Sequence, residues 1–152
     1  MLAARVLIAM AILPGIAAVL LPWLIVRGSE LSPFAWLAVP PIAFGLALAI
    51  WCVIEFATRG RGTPAPWDAP RRFVASGPYR VVRNPMYLGG AAVVLGEAIA
   101  FGSVPLFVYL IALVTVWHLF VVLYEEPTLA RRFGGEYRAY RARVHRWIPR
   151  LP

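Results

Sequence analysis

The chain has 152 residues, 61% of them hydrophobic, with a mean hydropathy of +0.74 and a net charge of +8. This composition argues against a soluble globular domain and for one compact unit embedded in a membrane. All fifteen basic residues are arginine, thirteen of them crowded into the blocks Arg59–Arg83 and Arg131–Arg150; these flank apolar runs and carry no nucleic-acid-binding motif, so no nucleic-acid partner is expected.

In chain order, Leu2–Val26 reads as a first span, kinked at Pro14, and "RGSELSP" as a short polar turn. Phe34–Phe56 reads as a second span, interrupted at Pro40-Pro41 and carrying Glu55 near its end. From Ala57 to Tyr79 the chain is rich in Arg, Gly and Pro, which predicts a long interfacial loop that packs through Trp67 and Phe73. Met86–Phe101, with Glu97 inside it, and Leu106–Tyr124 predict a helical hairpin turned at "GSVP". After Pro127, the positions Leu129, Phe133, Tyr137, Tyr140, Val144 and Trp147 recur at steps of three and four among arginines. They predict an amphipathic helix, loosened at Gly134-Gly135, that lies on an anionic membrane surface or folds back over the other helices.

The fold class expected is therefore all-α and integral to the membrane: four transmembrane helices plus a C-terminal amphipathic interfacial helix. The chain reads as a single membrane domain of two N-terminal spans (1–58), a basic loop with its motif (59–85), the hairpin (86–124) and an acidic motif with the tail helix (125–152). Counting arginines in the loops puts both termini and both basic blocks on the cytoplasmic side.

The densest polar chemistry lies in "GPYRVVRNPMYLGG", residues 77–90, and "YEEP", residues 124–127. The helices of a hairpin run antiparallel, so the start of the third span and the end of the fourth are neighbours. Tyr79, Arg83, Asn84 and Tyr87 are thereby brought toward Glu125 and Glu126. Arginine and tyrosine at a span boundary also serve as snorkelling and belt residues, and that structural reading stands beside the functional one. Two glutamates at a helix C-terminus call for a compensating cation, from Arg83 or a ligand. His118, Val122 and Glu125 fall on one helical face, which makes His118 either a packing histidine or a site residue about two turns below the carboxylate. Glu97, within an apolar run, needs a partner that the sequence does not name. Cys52 is the only cysteine, so no internal disulfide forms, and His118 and His145 lack metal-pair spacing; no metal is expected.

"SGPYRVVRNPMYLGG", followed by "EEPTLARRFGGEYRAYRARVHRWIP", resembles the isoprenylcysteine carboxyl methyltransferase family and its small bacterial membrane relatives. The resemblance covers Arg71–Pro149. It implies transfer of a methyl group from S-adenosylmethionine to a lipophilic acceptor at the cytoplasmic face of a prokaryotic membrane, the cofactor lying between hairpin and tail helix. On this resemblance Tyr79, Asn84, Pro85, Met86 and Tyr87 match the cofactor-contacting block, Glu125 matches the cofactor-contacting glutamate, and Glu126 completes the acidic pair. The strip Arg71–Val74 matches an upstream cofactor segment, and Arg83 is placed to clamp a carboxylate. Asn84 stands where the family has histidine. Val121 stands where the prenylcysteine enzymes have a carboxylate-binding arginine, so an amine or hydroxyl acceptor comes into view, with His118 as the catalytic base. A nicotinamide-dependent membrane reductase related to sterol reductases, and a non-enzymatic lipid-binding scaffold, are the alternative readings.

Overall fold

The computed structural model of the protein describes residues 15–60 and 73–149. Pro14 with the first half of the first span, and Trp67, Arg71 and Arg72 of the loop, lie outside the described residues. Among the described residues the chain is all-helical, without strands.

A π-helical turn (Ile16–Leu20) runs into α1 (Leu21–Val26). A 3-10 turn (Ala35–Ala38) leads into α2 (Val39–Glu55), which a π-helical turn (Phe56–Gly60) prolongs. After the loop and a second 3-10 turn (Gly77–Arg80) come α3 (Pro85–Phe101) and α4 (Val104–Phe120), a third π-helical turn (Val121–Glu125) and α5 (Glu126–Arg143).

Pro40-Pro41 does not interrupt the second span, contrary to the sequence expectation: the pair sits in the first turn of α2 within an unbroken helical run from Ala35 to Gly60. The missing amide protons fall where a helix has no intrahelical acceptor for them, so proline starts the helix rather than breaking it.

Among the described residues, two helical runs, Ala35–Gly60 and Val104–Arg143, are long and apolar enough to cross a membrane. Their most apolar 18-residue stretches are only 17% and 11% buried, the reverse of a soluble core helix. Trp36, Phe44, Ile111 and Leu123 are each at least 60% exposed, which only an apolar solvent tolerates on this scale. Ile16–Val26 and Pro85–Phe101 are shorter apolar helices. At 1.5 Å per residue the latter rises about 26 Å, slightly less than a hydrocarbon core of about 30 Å.

The hairpin forms as its turn residues dictate. Gly102 takes the left-handed conformation (φ 56°) that closes α3, and Ser103 caps α4 by accepting from the Leu106 amide at 3.3 Å. Tyr109 Oη donates to the Ala17 carbonyl at 2.6 Å, and the Ser32 amide to the Ala100 carbonyl at 2.8 Å, tying the N-terminal helix and first loop to the hairpin. α2 and α3 interlock through small residues. A Cβ on Gly45 would fall 2.5 Å from the Gly89 carbonyl oxygen, and one on Gly96 would fall 2.4 Å from Ile42, so the backbones meet where glycine removes the side chain.

The tail helix is not set apart by a loop. α5 continues α4 through the π-helical turn and changes direction at Gly134, whose φ of 52° and ψ of −117° are accessible to glycine alone. Beyond that point the predicted stripe turns inward, with Tyr137, Tyr140 and Val144 buried while Arg138, Arg141 and Arg143 stay exposed. Open space surrounds the Gly134 Cα, so Gly134→Ala carries backbone strain without a clash. It is expected to cost roughly 1–3 kcal/mol and to lower the thermal unfolding midpoint in detergent, whereas Gly135→Ala leaves the midpoint in place.

Candidate functional site

The loop preceding α3 is fastened to the end of α2 by Glu55. The Ser76 hydroxyl donates to the Glu55 carboxylate, Arg59 Nε pairs with it at 3.3 Å, and Gly77 (φ 56°) lets the backbone pass where a Cβ would lie 2.7 Å from Glu55 Oε1. The 3-10 turn then buries Tyr79 against Cys52 and Val74, edge-on to Phe56 at 5.4 Å, with Met86 packed at the margin of the same cluster. Burial, then the adjacent Cys52 and the more distant Glu125 and Tyr140, push the Tyr79 phenol well above its ordinary range, so this ring is a neutral wall.

The tail closes over this loop. Phe73 sits among Phe133, Tyr137 and Tyr140 with centroid separations of 5.4, 5.8 and 5.0 Å. Tyr140 Oη donates to the Tyr79 carbonyl at 2.6 Å, the Arg83 amide to the His145 carbonyl at 2.8 Å, and Asn84 Nδ2 to the Arg146 carbonyl at 3.3 Å. Pro85 is fully buried at the first turn of α3.

The two glutamates have separate partners. Glu126, 6% exposed, accepts from Arg83 Nη1 at 2.6 Å and from Arg146 Nε and Nη2 at 2.8 and 3.0 Å. The hydrogen bonds to Glu126 raise Arg146 above the ordinary guanidinium range despite partial burial. Glu125 accepts from Tyr87 Oη at 3.0 Å. Residues 38 positions apart thus meet at the mouth of the hairpin.

Below them lies a pocket of about 390 Å³ between α3 and α4, lined by Tyr87, Leu88, Val114, Trp117, His118 and Trp147, among others. Its walls are overwhelmingly apolar, and aromatic rings frame its upper end: Tyr87 lies 5.3 Å from Trp117 and 6.3 Å from Trp147. Trp147 Nε1 donates to His118 Nδ1 at 3.0 Å.

Of the sequence-predicted residues, Tyr79, Arg83, Asn84, Tyr87, Glu125 and Glu126 therefore gather in one layer, Pro85 is buried at the start of α3, Met86 packs on the Tyr79 cluster, and His118 lines the pocket. Val74, the described end of the upstream strip, is buried beside Tyr79. Glu97 lies elsewhere in α3, and its buried Oε2 has no hydrogen-bond partner among the described residues. Sequence reasoning missed Arg146, the second partner of Glu126, and the tryptophan pair. The available signal was the tail stripe, which ends on Trp147 next to an arginine and folds back toward the hairpin.

The fold defines a helical protein that faces lipid along its spans. Residues 34–136, more than half the chain, match the phospholipid methyltransferase family, and the chain belongs to it. This is the same family of small membrane methyltransferases as the isoprenylcysteine carboxyl methyltransferases, so the protein is a membrane methyltransferase acting on lipids. No curated protein and no solved structure matches the chain significantly.

Proposed function

We propose that the protein transfers a methyl group from S-adenosylmethionine to the head of a lipid acceptor at the cytoplasmic interface, in a prokaryotic membrane crossed four times with both termini inside. In this reading the whole chain is one membrane domain, divided as 1–58, 59–85, 86–124 and 125–152. The observation that carries it is the Tyr87–Glu125 hydrogen bond at the head of an apolar pocket. Family membership favours methyl transfer over nicotinamide-dependent reduction.

The side chains suit such a ligand. A methionine-derived donor presents an ammonium, a sulfonium, ribose hydroxyls and a carboxylate. Glu125 offers negative charge for the cation or the hydroxyls, and the rings of Tyr79 and Tyr87 offer electron-rich faces. Arg83 and Arg146 share one carboxylate, Glu126, and Arg83 Nε makes no hydrogen bond among the described residues, so a guanidinium donor is left for an acid. When bound, the cofactor supplies a methyl group already activated on sulfur.

What remains for the protein is alignment and exclusion of water. Tyr79, Arg83, Asn84, Pro85, Met86, Tyr87, Glu125 and Glu126 form the cofactor floor. Trp117, His118 and Trp147 flank the acceptor, whose chain enters from the bilayer along α3 and α4. The tail, fixed by Arg83, Asn84 and Glu126, shields the reacting groups from the aqueous side.

Glu125→Gln removes the charge and keeps the shape. S-adenosylmethionine affinity is expected to fall about tenfold to a hundredfold, read by calorimetric titration of the full chain in detergent. An unchanged titration overturns the assignment. Incubating purified protein with labelled methyl donor and a lipid extract identifies the acceptor by the species that takes the label.

A further inference from the structure

The pocket holds few polar groups, and their hydrogens are mostly spent. Tyr87 Oη donates to Glu125 at 3.0 Å and Thr115 Oγ1 to the Ile111 carbonyl at 2.8 Å. Trp147 Nε1 donates to His118 Nδ1 at 3.0 Å. An indole nitrogen only donates, so Nδ1 must be the accepting, unprotonated nitrogen of the imidazole. A neutral imidazole carries one N–H, and here it falls on Nε2.

The consequence concerns the chemistry available to substrate. With Nδ1 engaged by Trp147 and Nε2 bearing the proton, the histidine offers a donor and has no lone pair left for a proton. We propose that Trp147 is a positioning residue that holds His118 in the Nε2–H form, and that His118 donates a hydrogen bond to an oxygen of the acceptor lipid's head instead of acting as a base. This inference rests on the methyltransferase reading of the same pocket and specifies its acceptor: a lipid whose head carries an oxygen lone pair close to the methylated atom. A donor at this point orients the head, and in a pocket with such apolar walls a hydrogen bond discriminates strongly against lipids lacking the oxygen.

The placement of Trp147 is determined by residues of the 77–90 motif. The Arg83 amide holds the His145 carbonyl and Asn84 Nδ2 holds the Arg146 carbonyl, and Arg146 is pinned through its side chain to Glu126. Three successive tail residues, 145–147, are thus tied to α4 or to the approach to α3. Edge-on contact with Tyr87 at 6.3 Å supports the indole from the other side. Tail docking and the protonation pattern of His118 are therefore one arrangement.

The test uses the full chain, labelled with ¹⁵N in its histidine rings, in detergent near neutral pH. Nitrogen NMR is expected to show His118 with Nδ1 unprotonated and Nε2 protonated, His118→Gln assigning the signal against His145. In Trp147→Phe, which keeps an aromatic wall without the N–H, this preference relaxes toward the tautomer mixture of an unconstrained imidazole. In methyl-transfer assays Trp147→Phe is expected to raise the KM for acceptor about tenfold while the KM for methyl donor stays unchanged. His118→Gln retains an N–H donor and is no base, so it restores most of the turnover lost in His118→Ala. A proton on Nδ1 in the wild-type chain, or turnover as low in His118→Gln as in His118→Ala, overturns the proposal. Failure of the wild-type chain to methylate any lipid sinks the methyltransferase reading, whereas the ring-nitrogen signals decide the tautomer on their own.

Discussion

Replacing Glu126 with alanine is expected to release the C-terminal tail from the hairpin. The carboxylate holds Arg83 at 2.6 Å and Arg146 at 2.8 and 3.0 Å, with its own side chain only 7% exposed. Without it, two guanidinium groups drawn together by a shared counter-charge face each other in a site that water reaches poorly. Breaking a buried ion pair from one side costs about 3–5 kcal/mol, mostly through the charge left uncompensated. Salt screens such a site weakly, so added salt does not rescue the variant. Glu126→Gln keeps an acceptor oxygen for one arginine and falls between alanine and wild type. Limited trypsin digestion provides the measurement: Arg141 and Arg143 flank the buried stripe and become rapid cleavage sites once the stripe undocks. Because Trp147 leaves with the tail, the pocket opens and acceptor turnover falls in parallel with protection. Unchanged digestion together with an unchanged unfolding midpoint would show that Glu126 does not hold the tail.

The meeting of Tyr87 with Glu125 was legible in the sequence because it follows from antiparallel geometry alone, once two apolar runs are joined by the short turn at Gly102-Ser103. The inward face of the tail was legible for a similar reason: residues at steps of three and four must share a side, and Tyr137, Tyr140 and Val144 do. Other features left no comparable trace. Arg146 pairs with Glu126 while Arg141 and Arg143 stay exposed, yet all three occupy the same kind of basic-aromatic context; what distinguishes them is the end of α5 at Arg143, after which the backbone turns extended at Val144 and carries Arg146 back to the hairpin. Pro40-Pro41 looked like a break because proline in a first turn and proline in an interior differ only in where the helix begins. The π-helical turn at Val121–Glu125 has no hydropathic signature, although it sets the register between His118 on the pocket wall and Glu125 beside Tyr87. The packing of α2 against α3 was hidden most completely. Gly45, Gly89 and Gly96 are three apolar positions among many, and what matters about them is the side chain they lack.

That packing yields the second large effect. Gly45→Ala is expected to force α2 and α3 apart, because the new methyl would lie 2.5 Å from the Gly89 carbonyl oxygen, 2.8 Å from Val93 Cγ2 and 3.0 Å from the Val93 amide nitrogen. A side-chain methyl can rotate away, but a carbonyl and an amide inside a helix move only with the helix. Overpacking of this kind costs about 1–3 kcal/mol, and Gly45→Leu exceeds that range by wedging a whole side chain into the seam. The functional loss should be out of proportion to the stability loss, since Gly89 lies two residues beyond Tyr87 on α3. Displacing that turn separates Tyr87 from Glu125, whose carboxylate hangs from the other arm of the hairpin. Gly90→Ala supplies the contrast: its methyl meets chiefly the far edge of the Trp117 ring at 2.9 Å, which can tilt, so the variant keeps its unfolding midpoint. Adding Val93→Ala to Gly45→Ala tests which atoms resist. It removes the contact at 2.8 Å and leaves the backbone contacts in place, so the midpoint in detergent and the affinity for methyl donor both remain depressed. Full recovery in the double variant would locate the obstruction in the valine side chain and refute a backbone-to-backbone seam between α2 and α3.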